Sequence, residues 1–431
     1  VSQTSGIIIS APSSASGKTT VTLGLLRALN IRGQRVRSAK SGPDYIDPRF
    51  HMAASDGTCI NLDAWAMSPP RIQSLAQGNV PLIVEGAMGL FDGAPPIGQG
   101  STANLARILN LPVVLVLDVA SQAQSVAAVA AGFANHDPAV KIAGLILNKV
   151  GSPRHETMLR RALEPLEIPV LGALYRTKTL NMPSRHLGLV QAAEHADLDL
   201  FLNQAARLVS DAVDLDALMA LMQPTKCADV AQPPLAPPAQ NIAVASDAAF
   251  AFAYPHILRD WRDAGATLSF FSPLADQAPV PDADLVFLPG GYPELHAARL
   301  ASNSAFLSGV RNAASVYGEC GGYMAMGQGL IDADGTRHQM LGLLDLETSF
   351  ETRKLHLGYR RLSPYGFWQG DLMGHEFHYA TTLRARGQPL FAAKDAENSS
   401  LGDIGLINGH YAGSFAHIID RQSHDSTDTN R

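Results

Sequence analysis

The stretch Ser10-Ala11-Pro12-Ser13-Ser14-Ala15-Ser16-Gly17-Lys18-Thr19-Thr20 does most to limit what this chain can fold into. A short apolar run, Gly6-Ile7-Ile8-Ile9, precedes it. Apolar residues at Val21, Leu25, Leu26 and Leu29 follow at helical spacing. A strand, a loop ending in Gly-Lys-Thr and a helix make the layout of a phosphate-binding P-loop. Gly17 lets the backbone approach a phosphate closely. The amides that open the helix point at the anion, and the helix dipole favours it. Lys18 brings a point charge to the terminal phosphates, and the Thr19 hydroxyl suits Mg²⁺, with Thr20 in the same nucleotide-binding set. One position departs from the pattern: Gly is expected at 12, and the chain has Pro12. The small residues from Ala11 to Ser16 still suit a tight anion nest. The competing reading is a Ser-rich turn before an ordinary helix.

At 431 residues the chain is too long for one ordinary domain, so two are expected. The formal net charge of −6 and the lack of any basic run or aromatic-basic stripe argue against a nucleic-acid partner. No apolar stretch is long enough to span a bilayer, so no membrane partner is expected. The amino terminus lacks the charged and apolar regions of a signal peptide, and an initiator Met is expected to have been removed or left out before Val1. The three cysteines, Cys59, Cys227 and Cys320, are odd in number and far apart. A reducing, cytoplasmic setting is expected rather than a disulfide framework.

In the first half, the strand read at Gln34–Lys40 runs into Ser41-Gly42-Pro43-Asp44-Tyr45-Ile46-Asp47-Pro48. Ligands of open parallel α/β sheets bind at this carboxyl edge. Asp44 and Asp47 beside a nucleotide phosphate are natural Mg²⁺ ligands, since hard cations take oxygen; two turn-forming Asp residues are the alternative. The strand Val80–Val84 ends in Glu85-Gly86-Ala87-Met88-Gly89-Leu90-Phe91-Asp92-Gly93. Glu85 suits the second acidic Mg²⁺ ligand. Asp92 lies in a Gly-rich loop that suits closure over a substrate, or it caps that loop. A helix is read over 101–109, a strand over 112–118, a helix over 121–133, a strand over 141–147, a helix over 154–163 and a strand over 168–172. Asn148, at a strand end, suits reading of a nucleotide base or simple capping. The alternation predicts a parallel, doubly wound sheet.

Pro233, Pro234, Pro237 and Pro238 mark a Pro-rich linker, placed at 224–240 between domains 1–223 and 241–431. A second α/β series follows, with strands at 241–245, 267–271 and 284–288 and a helix over 254–264. A further apolar run, 314–317, leads into Gly318-Glu319-Cys320-Gly321-Gly322. Gly-x-Cys-x-Gly between strand and helix is a nucleophile elbow: the turn presents the thiol, and amides at the helix start form an oxyanion hole. Gly290-Gly291, at another strand end, offers a further donor. A buried structural Cys is the alternative. The base is sought among His375, His378, His410 and His417, which spacing does not separate. His375 and His378 in Gly374–Tyr379 mimic a metal pair, but the alternation there predicts a strand with the two on opposite faces, so zinc is rejected.

Together these motifs resemble the cobyrinic acid a,c-diamide synthase family of cobalamin biosynthesis over nearly the whole chain. The resemblance rests on Ser16–Thr20, Lys40–Pro48, Glu85–Gly93, Leu288-Pro289-Gly290-Gly291-Tyr292-Pro293-Glu294, the Cys320 elbow, Gly374–Tyr379 and Gly413-Ser414-Phe415-Ala416-His417. It implies a dethiobiotin synthetase-like P-loop domain joined to a class I glutamine amidotransferase domain. It implies that glutamine is hydrolysed at Cys320 through a thioester, with His417 as base. It implies that ATP and Mg²⁺ activate the a and c acetate carboxylates of a corrinoid, through Lys18, Thr19, Asp47 and Glu85. It places Asp44, Tyr45, Ile46 and Asp92 around the reacting carboxylate and Asn148 at the base. Many amidotransferases carry Glu two residues after the catalytic His; here that residue is Ile419, so either another group orients His417, with Glu376 as a candidate, or a Cys–His dyad suffices. Cobyric acid synthase reads differently after Glu85. Nickel sirohydrochlorin a,c-diamide synthase is closer in motif, and a glutamine-linked ATPase switch without amidation is the rival of another class. The shorter chain and Pro/Ala-rich linker favour the metal-free ring, hydrogenobyrinic acid, over cobyrinic acid. A homodimer remains an open option.

Overall fold

In the computed structural model, residues 4–177, 184–185, 188–189, 197–228 and 233–422 are described. The chain divides into two compact units, Val1–Gln232 and Pro233–Arg431.

The first unit is built around β1 (Ser5–Ser10), whose Ile7, Ile8 and Ile9 are fully buried. The other parallel strands are β2 (Arg37–Ser41), β3 (Cys59–Leu62), β4 (Leu82–Glu85), β5 (Val113–Asp118), β6 (Ile142–Val150) and β7 (Val170–Tyr175), in the order β3-β2-β4-β1-β5-β6-β7. Strands buried on both faces read as continuous apolar runs, as β5 does. The order reverses direction around β1, which opens a crevice at the carboxyl edge. Helix α1 (Lys18–Ile31) leaves β1 through the Ser10–Gly17 loop and packs its apolar face with the helix Leu198–Ala212.

Several elements differ from the sequence reading. Asp47 does not stay in a loop: it opens α2 (Asp47–Ser55), with Pro48 in the first turn, where its missing N–H costs nothing. β3 and the helix Leu198–Ala212 were not foreseen. The helix after β5 begins only at Val126, and the last strand begins at Val170, after Pro169. The linker also starts later. Gln223 and Pro224 pair antiparallel with Gly6 and Ser5, and the Lys226 amide donates to the Leu109 carbonyl. Residues 229–232 of the predicted linker lie outside the described residues.

The second unit holds a six-stranded sheet in the order Thr267–Phe271, Asn241–Ala245, Leu285–Leu288, Val316–Glu319, Tyr411–Ser414, Leu406–Asn408, parallel except for the last pairing. Beside it lie two sheets the sequence reading did not foresee. One joins Arg337–Gln339, Gly329–Ile331, Asp345–Ser349 and Thr381–Arg386. The other is antiparallel: Ser400–Ile404, Phe391–Lys394, His356–Pro364, Leu372–His378, Ala416–Arg421. Among the described residues, no helix is long and apolar enough to cross a membrane.

Candidate active sites

In the first unit the predicted residues gather at the carboxyl edge of the sheet. Ala15 and Gly17 adopt left-handed backbone, with φ of 63° and 84°. No side chain caps α1, and its first turn has no acidic residue, so its opening amides face the loop with a bare positive end. A Cβ on Gly17 would stand 2.2 Å from Asn148 Nδ2, which donates to the Ser16 carbonyl at 2.9 Å. Asn148 is thus brought to the phosphate loop itself. Lys149, which the sequence reading passed over, donates to Ala15 O and pairs with Asp118 at 2.6 Å. Gly17, Thr20, Asn148 and Lys149, with Leu174 and Tyr175, line a cavity of about 290 Å³.

Beside the loop, Thr19 Oγ1 donates to Glu85 Oε1 at 2.6 Å. Lys40 Nζ reaches the same oxygen at 2.8 Å and Asp47 Oδ2 at 2.5 Å. His51 Nε2 meets Glu85 Oε2 at 2.6 Å, and its Nδ1 stands 3.6 Å from Cys59 Sγ. Lys40 and His51 were missed. The signal for Lys40 was its place at the head of Lys40–Pro48; for His51 only a helical position one turn after Asp47 hinted at it. Burial alone would neutralise these groups, yet the neighbouring charges win. Asp47 and Glu85 hold the Lys40 ammonium far above its ordinary value, while Lys40 and His51 hold Glu85 well below the carboxylate range. Lys18 is lowered by burial, with Glu85 opposing. Asp44 is raised to about 6 by burial and by the Asp47 carboxylate.

Asp44 Oδ1 accepts the amides of Ile46 and Asp47 at 2.7 and 3.2 Å, so it holds the turn that leads into α2 and fixes Asp47. Tyr45 and Ile46 are half-buried in the turn between them. Asp92 is exposed, and its Oδ2 accepts the Gly89 amide at 2.9 Å. The Leu90 amide donates to Ala11 O, which seats this loop against the phosphate loop. Thr19, Asp47 and Glu85 bring three hard oxygen donors to one place, and Asp47 Oδ1 is buried without a hydrogen-bond partner. That donor set fits a divalent cation.

In the second unit, Cys320 has φ 47° and ψ −104°, the strained turn of a nucleophile elbow, and opens the helix Gly321–Ala325. A Cβ on Gly322 would collide with the Leu288 carbonyl at 1.8 Å, so the turn admits only glycine there. Burial, and then the Glu294 charge, push the Cys320 thiol well above its ordinary value, while the Gly321 amide opposes them. The surroundings thus favour the neutral thiol over the thiolate.

The four candidate histidines separate cleanly. His410 is exposed in a hairpin turn. His375 and His378 lie on opposite faces of Leu372–His378, as the alternation predicts. His417 lies in Ala416–Arg421, fully buried, its ring against Gly290: a Cβ there would stand 2.2 Å from Cε1. The Cys320 amide donates to Ser414 O at 2.8 Å, which ties the elbow to the turn leading to His417. Gly291 N lies 2.9 Å from where a Gly321 Cβ would be, so the Gly290-Gly291 backbone packs directly against the elbow.

Glu376, the candidate partner of His417, is held elsewhere. Its carboxylate takes Arg360 Nε at 2.7 Å and His378 Nε2 at 3.0 Å. The oxygen facing His417 Nδ1, at 3.7 Å, belongs to Glu319. Ligand atoms of His356, Glu376 and His378 lie within 4.8 Å of one another. The two rings stack at 4.6 Å and 6° instead of converging, and a guanidinium already sits on the carboxylate.

Family comparisons agree with this division. Residues 7–190 match the CobQ/CobB/MinD/ParA nucleotide binding domain, and residues 241–424 match the CobB/CobQ-like glutamine amidotransferase domain. The hydrogenobyrinate a,c-diamide synthase of Brucella anthropi is 55% identical over 429 residues, covering 96% of this chain and 98% of its own. The enzymes of that name from Rhodobacter capsulatus (53% identical; 96% and 98% covered) and Rhizobium meliloti (51%; 96% and 99%) are similar throughout. With a nucleotide-binding unit and a Cys elbow on one chain, and relatives matched end to end, the chain belongs to the hydrogenobyrinate a,c-diamide synthase family of glutamine-hydrolysing amidoligases.

Proposed function

We propose that this chain amidates the a and c acetate carboxylates of hydrogenobyrinic acid, using MgATP and glutamine. The observation that carries the reading is the convergence of Thr19, Asp47 and Glu85 beside an uncapped helix start, on a chain that also presents Cys320 on an elbow. Mg²⁺ held by Thr19, Asp47 and Glu85 would offset charge on the ATP phosphates. Lys18 and the amides from Gly17 to Thr20 bind those phosphates, and Asn148 borders the base. Asp44, Tyr45, Ile46 and Asp92 orient the substrate carboxylate for attack on the terminal phosphate. A carboxylate oxygen displaces ADP, and the acyl phosphate becomes a competent acyl donor.

Cys320 attacks the glutamine amide carbon after giving its proton to His417. The amides near Gly291 and Gly321 offset the oxyanion. His417 returns the proton to the leaving nitrogen, ammonia departs, and water releases glutamate from the thioester. Ammonia then displaces phosphate from the acyl phosphate. Three free cysteines fit a cytoplasmic setting.

Mass spectrometry of hydrogenobyrinic and cobyrinic acids, each incubated with the protein, MgATP and glutamine, tests the proposal. Two successive amide substitutions on the metal-free ring are expected. ATP hydrolysis without amidation of either ring would reject it in favour of another tetrapyrrole or a switch.

A further inference from the structure

We propose that Glu319 positions His417, so that the hydrolytic centre is a Cys–His–Glu set whose carboxylate precedes the nucleophile in the chain instead of following the base. The proposal rests on the reading that Cys320 and His417 hydrolyse glutamine.

The position that would ordinarily supply the acid is Ile419, which is fully buried, and its carbonyl accepts His256 Nε2 at 2.8 Å. Glu376 is committed to Arg360 and His378. Glu319 is built into place. Its Oε2 faces His417 Nδ1 at 3.7 Å. Its Oε1 accepts the amide of Ile418, the residue after the base, at 3.1 Å, and the Tyr317 hydroxyl at 3.2 Å. The Ile418 bond fixes the carboxyl relative to the His417 backbone, so the two move together. Tyr317 is itself locked, stacked on Phe287 at 5.8 Å and Phe367 at 5.1 Å. Gly290 confines the ring on another side. Strand pairing gives the same result: Glu319 is the register partner of Ser414, three residues before His417.

At 3.7 Å the Glu319–His417 pair is a charge contact and not yet a hydrogen bond; once it tightens around bound glutamine, a carboxylate accepting Nδ1–H keeps that proton on Nδ1 and leaves the Nε2 lone pair for the thiol. When the Cys320 proton moves to Nε2, the imidazolium lies beside a negative charge. The new C–S bond forms, the proton passes to the leaving nitrogen, and the C–N bond breaks with release of ammonia. Burial raises Glu319 to about 8, and the Ile418 amide and Tyr317 hydroxyl oppose it. Burial lowers His417 to about 3, reinforced by His375 and His378 and opposed by Glu376. Tyr317, Cys320 and His417 face Glu319, and Glu294, Glu376 and Glu319 act on Cys320. The ionised Glu319 that the base requires therefore grows in as pH rises through about 8.

The test is glutamate release by the full chain and by Glu319→Gln across pH 6–9. The expected result is a kcat lower by about 10²–10⁴-fold, by analogy with loss of a triad carboxylate. KM for glutamine stays within about threefold of the parent, as for a group acting only in the transition state. The rising limb near pH 8 disappears. Wild-type kcat with the limb intact overturns the proposal. His417→Ala runs alongside: if it keeps wild-type kcat, the underlying Cys–His reading has failed instead. Amidation supported by added ammonia bypasses Cys320 and reports that the variant is folded. If Glu319→Gln loses that too, Glu319→Asp replaces it. A kcat fall at constant KM then supports the proposal, and wild-type kcat overturns it.

Discussion

The Thr19 hydroxyl donates a hydrogen bond to Glu85 Oε1, 66 positions further along the chain, at 2.6 Å. The bond joins the end of the phosphate loop to the end of the neighbouring strand. It works because β1 and β4 are parallel partners, with Ile9 beside Glu85. The same carboxylate carries Lys40 and His51, so one buried anion organises three strand ends.

Replacing Glu85 therefore separates charge from shape. Glu85→Gln keeps the side chain but removes the anion, and ATP-dependent amidation should fall by about 10²-fold or more. Glu85→Ala should also destabilise the first unit by about 1–3 kcal/mol, because it leaves the buried His51 Nε2 and the Thr19 hydroxyl without their acceptor while Asp47 still holds Lys40. Amidation rates and urea unfolding of the two variants check this; equal stability of Glu85→Ala and the parent would contradict it.

Gly17→Ala should weaken ATP binding by about tenfold or more, since left-handed backbone costs a side chain roughly 1–2 kcal/mol. The new Cβ must also displace the Asn148 amide, which would stand at 2.2 Å. Calorimetric titration with MgATP reads the effect. Glutaminase activity in the same preparation should be spared.

Gly290→Ala should do the reverse. The added carbon occupies the place of the His417 ring, and a displacement of that size costs about 10²-fold in rate. Glutamine-supported amidation should collapse while ammonia-supported amidation persists. Loss of both would show a damaged fold.

Stability of the second unit should depend on pH through its buried histidines. Burial, aided by Arg360, lowers His375 to about 4. Between about pH 4 and 6.5 the unfolded chain binds a proton there that the folded chain refuses. Stability is complete above this window and declines as pH falls through it, by up to about 3 kcal/mol from His375. His375→Gln should flatten the decline, read from Trp261 and Trp368 fluorescence during urea unfolding at pH 4.5 and 7. An unchanged slope would contradict the assignment.

The parts whose chemistry is contiguous were legible along the chain. The phosphate loop carries its strand, its glycine and its cation within fifteen residues, and the Cys320 elbow needs only Gly-x-Cys-x-Gly after an apolar strand. Alternation along Leu372–His378 was enough to put His375 and His378 on opposite faces. Which charges meet was settled by folding. Lys40 meets Glu85 because β2 and β4 pair in that register, and a shift by one residue would have turned Lys40 to the other face. Glu376 met Arg360 because His356–Pro364 pairs antiparallel beside it, with Arg360 opposite Gly374, and Glu319 met His417 because parallel pairing set Glu319 opposite Ser414. Such encounters are set by strand register across long sequence separations, and one chain read end to end carries no local mark of register.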